Sequence, residues 1–150
     1  MERIDQYIET LEKYDHPERW EDPESFDYVK EQSDFFAAKD RIQYVLRKKL
    51  ECETGSNIQD ASYHSQIFLG EGTLKLEGEY ALVRFSNFGK LIAFVNEDSI
   101  IESVKIDIIQ NLNELGYTHI PEHVLYQPYT GKNKGVTGID SWWVRYFDFV

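Results

Sequence analysis

Ile4, Tyr7, Ile8 and Leu11 recur at i, i+3, i+4 and i+7, which places them on one face of a helix. That helix ends near Tyr14, because the residue before Pro17 is pushed out of the α region. A second start follows, with Asp22 as N-cap, Pro23 at the first helical position and Glu24 in the first turn. Phe26 and Val29 continue its inner face, and Ser33 either caps a further helix or lies inside a continuous one. Phe35, Ala38, Ile42, Val45, Leu46 and Leu50 then form a helical stripe. Arg47, Lys48 and Lys49 fall in its last turn, where cations suit the macrodipole.

After about residue 65 the apolar period changes from 3.6 to 2. Ile67-Phe68-Leu69 reads as a short strand, as do the alternating runs around Leu74 and Leu76 and around Ala81, Val83 and Phe85. Leu91-Ile92-Ala93-Phe94-Val95 is apolar throughout, as in a central strand. Short Gly-containing separators between these runs predict an antiparallel meander. A long helix follows, with Asn96 as N-cap, Glu97 and Asp98 in the first turn, a stripe from Ile100 to Leu115, and Gly116 closing it. Val124-Leu125-Tyr126 reads as a short strand, and the aromatic run from 142 to 150 as a C-terminal one. The fold class is therefore α+β in a single domain: N-terminal helices over 1–52, then a sheet with one packed amphipathic helix over 65–150.

Charge alters this picture more than composition does. The chain carries 16 Lys+Arg against 27 Asp+Glu, for a net charge of −11. Residues 1–34 hold 12 acids and 4 bases, whereas residues 35–50 hold 1 acid and 5 bases. Such a field repels nucleic acid and anionic lipid and draws in basic partners. Aromatics are abundant, with ten Tyr, nine Phe and three Trp, most of them expected in the core. Cys52 is the only cysteine, so no intramolecular disulfide forms, and it reads as an inert residue at a helix end. The first residues lack an apolar run, and the expected location is the cytoplasm.

Few residues sit in patterns that carry chemistry. His119-Ile-Pro-Glu-His123 has two histidines four apart, but Pro121 disfavours the helix that would align them. The segment 131–135 has glycines without the Gly-Lys-Ser/Thr ending of a phosphate loop, and no serine sits in a nucleophile elbow. No metal or cofactor is expected. The strongest candidate surface is the acidic segment 15–34, in which Glu18, Trp20, Glu21, Asp22, Glu24, Asp27 and Glu31 read as a partner-binding face. Glu24, Asp27, Glu31 and Asp34 share one helical face, and like charges stacked this way destabilise an isolated helix. An alternative pocket near the C-terminal strand draws on His123, Arg145 and Asp148, with Arg145 either holding an anion or pairing with Asp148.

In size, charge and aromatic texture, Trp142-Trp143-Val144-Arg145-Tyr146-Phe147-Asp148 included, the chain resembles the small acidic immunity proteins of bacterial polymorphic toxin systems. The resemblance implies a cytoplasmic, non-catalytic α+β protein that masks a basic toxin, often a nuclease. The expected partner is thus a basic protein, with neither nucleic acid nor membrane. The alternatives are a small enzyme or ligand-binding domain, and a regulatory subunit of a cytosolic complex.

Overall fold

A computed structural model describes residues 4–15, 27–54, 62–131 and 141–147. Helix α1, Ile4–Tyr14, follows the predicted stripe: Leu11 is fully buried, and Tyr7 and Ile8 pack beside it. Helix α2, Tyr28–Leu46, is capped by Asp27, whose carboxylate accepts the Lys30 amide at 3.1 Å. It runs unbroken through Ser33 and stops at Leu46, where Arg47 adopts the left-handed conformation (φ 55°). Arg47, Lys48 and Lys49 therefore lie beyond the helix and not in its last turn. Val29 points into solvent, away from the face formed by Phe35, Ala38 and Ile42. The helix start expected at Asp22 lies outside the described residues.

Five strands follow: β1 Cys52–Thr54, β2 Tyr63–Leu69, β3 Ala81–Ser86, β4 Leu91–Val95 and β5 Thr118–His119. The first four pair in sequence order and antiparallel, as the meander predicts. Cys52 thus belongs to a strand rather than a helix end. β5 returns parallel to β4, with Leu91 opposite Thr118 and Ile92 opposite His119, so the sheet is mixed. The connection is α3, Glu102–Glu114.

β4 shows why its sequence is apolar throughout. Ile92 and Phe94 enter a core with Phe35, Ile42, Phe85, Ile108 and Leu112, beneath α2 and α3. Leu91 and Ala93 point the other way, into a second core with Leu11, Phe88, Val124, Trp142 and Tyr146. A strand covered on both faces needs apolar groups at both parities.

Four element expectations are corrected. Leu74 and Leu76 form no strand; Leu74 makes only an isolated bridge to Ile100, because glycine turns on either side break the ladder. Holding Ile100 extended in that bridge delays α3 to Glu102. Asn96 is left-handed (φ 58°) and turns its side chain to the Tyr80 carbonyl at 3.0 Å instead of capping α3. Residues Glu122–Leu125 form the short helix α4 in place of a strand. The C-terminal aromatic run is helical as well: α5 spans Trp142–Phe147, and its first turn is tied by the Val144 amide to Ser141 Oγ at 3.4 Å. Its ring pairs Trp142–Tyr146 and Trp143–Phe147 stack at i, i+4, a contact that a strand cannot make. Among the described residues no helix is long and apolar enough to cross a membrane.

Candidate functional site

The acidic segment divides into residues with work inside the fold and residues outside the described set. Asp15 is a core residue. Its carboxylate is fully buried and accepts Arg145 Nε at 2.8 Å, while the Tyr129 hydroxyl lies 3.0 and 2.8 Å from its two oxygens. The Arg145 guanidinium rests over the Phe88 ring, 4.6 Å from its centroid, and near Tyr146 at 5.1 Å. Gly131 has no side chain at this point because a Cβ would collide with Asp15 and Tyr129. Arg145 is therefore sealed into a clasp joining α1, the segment after α4, and α5. It offers no charge to a surface ligand, which removes it from the alternative pocket. Asp148 lies outside the described residues.

Asp27 caps α2. Glu31 lies 3.7 Å from Lys90 Nζ, and Asp34 bridges Lys90 at 2.7 Å and Lys30 at 2.9 Å. Hydrogen bonds from Lys90 and Lys30 hold the Asp34 carboxyl below the usual carboxylate range. Lys90 also sits over Tyr117, 4.6 Å from the ring centroid. The stacked acids of α2 thus receive compensation from a lysine 56 positions beyond Asp34, in the β3–β4 turn. Glu18, Trp20, Glu21, Asp22 and Glu24 lie outside the described residues.

One acidic surface went unremarked in the sequence. Asp5, Glu9 and Glu12 are exposed along α1, to one side of its apolar stripe, and none makes an ion pair among the described residues. Their i, i+4, i+7 spacing was the available signal.

Two clusters gather groups capable of chemistry. In the first, Ser65 Oγ lies 2.8 Å from His64 Nδ1 and 2.6 Å from Thr54 Oγ1, with Gln32 bonded to both hydroxyls. A serine beside a histidine suggests a nucleophile, but Ser65 is 0 % exposed and no substrate can reach it. Burial, assisted by the Lys90 charge, lowers the His64 pKa to about 4, so the ring is neutral and rigidly placed between Phe35 and Phe85. The second cluster lines an open cleft of about 600 Å³ bounded by Tyr7, Glu97, Glu102, Lys105, His119 and His123 among others. His119 Nε2 lies 3.0 Å from Glu97 Oε1, and Lys105 Nζ lies 3.6 Å from Glu97 Oε2. Glu97 and Glu122 each accept the other's backbone amide, at 3.2 and 3.0 Å. Burial pushes the Glu97 carboxyl upward, but His119, the Glu122 amide and Lys105 outweigh it and hold the group below its ordinary value. His123 stands exposed on the cleft rim, in α4, while His119 is in β5, so the two histidines share no helix. Among the described residues no group of three metal-ligating side chains converges.

The chain matches no protein-family model, and neither a characterised protein nor a solved structure matches it.

Proposed function

We propose that the chain is a non-catalytic binding protein, an immunity-type inhibitor that neutralises a basic toxin domain such as a nuclease through an acidic, aromatic-containing surface. The observation that carries this reading is the free acidic face of α1: Asp5, Glu9 and Glu12 are exposed and unpaired among the described residues. This helix leads directly into the segment bearing Glu18, Glu21, Asp22 and Glu24, and Trp20 within it is a candidate anchor. Clustered carboxylates of this kind raise the encounter rate with a basic partner and fix its orientation. Reversing Glu9, Glu12, Glu18 and Glu21 to lysine is expected to slow association with the captured basic partner by tenfold or more at low salt. An unchanged on-rate rejects the reading.

The cleft beside His119 favours a second reading, a ligand-binding domain, because Glu97, Lys105 and His119 meet at an accessible space of adequate size. The two separate cleanly. Lys105→Met and His119→Ala leave partner association intact under the first reading and abolish ligand-induced thermal stabilisation under the second.

A further inference from the structure

The inner face of α2 is spent on the core, but its outer face is unusual. Val29 is 78 % exposed, Phe36 46 % and Tyr44 82 %. Spacings of seven and eight residues put all three on one side of the helix, opposite Phe35, Ala38 and Ile42. Asp40 is exposed on the same side, one turn from Phe36 and one from Tyr44. It makes no ion pair among the described residues. Its basic neighbours are Lys39 on α2 and Arg41, which is taken up by Asn111 at 2.9 Å and by Glu114. Lys30, near Val29, is held by Asp34.

An acid set between two aromatic rings restricts what can cover this face. A purely apolar partner would strip water from Asp40 and leave it unpaired, at high cost. A second copy of the chain, laid symmetrically on the middle of the stripe, would bring Asp40 against its own copy. An anionic lipid surface would be repelled. An arginine meets every requirement, because its guanidinium pairs with a carboxylate through two parallel N–H donors and stacks flat on a ring. We propose that the outer face of α2, formed by Val29, Phe36, Asp40 and Tyr44, docks an arginine-bearing segment of a basic protein partner. This rests on the binding-protein reading above and supplies it with an aromatic contact surface. Asp40 takes the guanidinium, Tyr44 and Phe36 sandwich its planar face and stem, and Val29 extends the apolar contact toward the N-terminus of α2.

An amide-resolved NMR titration at low salt with capped octa-arginine, and with octa-lysine of matched charge, tests the proposal. The largest shifts are expected at residues 36–44, with arginine binding tighter than lysine by about fivefold. Asp40→Asn and Tyr44→Ala should each weaken octa-arginine binding by about fivefold or more while leaving the thermal melt in place, since both side chains face solvent. Equal affinity for the two peptides, or unchanged binding by both variants, overturns the proposal. Shifts confined to α1 and residues 16–24 overturn the docking site but leave the acidic-surface reading standing. No shift anywhere with either peptide contradicts both.

Discussion

Asp15 and Arg145 show how misleading a charge can be when only its sequence neighbours are considered. Asp15 opens an acidic run and Arg145 lies three residues before Asp148, yet they find each other across 130 positions. Removing one partner leaves the other charged and buried. Arg145→Met is therefore expected to cost about 3–5 kcal/mol in chemical denaturation, and Asp15→Leu combined with Arg145→Met to cost clearly less. A double variant less stable than the single one contradicts this account. His64 gives a second test. Its folded pKa is about 4, below the 6.5 of the free side chain, because burial penalises the imidazolium. As pH falls from 6.5 towards 4, the unfolded chain takes up a proton that the native state refuses, so stability is fully present above that window and is lost on entering it. Between about pH 7.5 and about pH 5 the loss from this residue is about 2 kcal/mol. His64→Asn should flatten the denaturation midpoint across that range, and a native His64 that titrates near 6.5 by NMR rules the mechanism out. Asp34 and Glu97, whose carboxyls are held low, lose their contributions at more acidic pH.

Among the elements, those with one apolar face were legible, as was the all-apolar strand β4, whereas the buried helix α5 was not. Ile4, Tyr7, Ile8 and Leu11 announce α1, and the alternation of Ala81, Val83 and Phe85 announces β3, because each element has a wet side to set the period. The six residues of α5 have almost none: Trp142, Trp143, Arg145, Tyr146 and Phe147 are all buried. Their pattern fits period 2 and period 3.6 alike, and only the ring spacing at i, i+4 favours a helix. The start of α3 was hidden for another reason. Ile100 is drawn into a bridge with Leu74, a contact 26 residues away that no local signal encodes. Of the candidate site, the acidic sign of the N-terminal region was legible, but Lys90 as the compensation for Glu31 and Asp34 was not. Asp27 separates fold from function within α2. Asp27→Ala should cost about 1 kcal/mol by removing the N-cap, whereas Asp27→Asn keeps the cap and loses only the charge. A stable Asn variant that associates more slowly with the basic partner assigns the charge to binding; destabilisation equal to that of the Ala variant refutes the cap.

At the scale of the whole molecule, the net charge of −11 is partly taken up inside the fold and partly left at the surface. Asp15, Asp34, Glu97 and Glu122 are held by internal partners: Asp15 ties α1 to α5, Asp34 ties α2 to the β3–β4 turn, and Glu97 binds His119 of β5 and the Glu122 amide. Among the described residues, Asp5, Glu9, Glu12 and Asp40 are left to solvent on α1 and α2, which flank the acidic segment 16–26 in sequence, and Glu51, Glu71, Glu77, Asp98 and Asp107 are left to solvent elsewhere. We propose that the exposed acids of α1 and α2, together with the exposed rings of α2, recruit a basic protein. The most direct test is the association rate of the purified basic partner, followed by stopped flow as ionic strength is raised. Steered association predicts a steep fall of on-rate with salt, by tenfold or more, while the off-rate changes little. An on-rate that stays flat across the same series contradicts electrostatic recruitment.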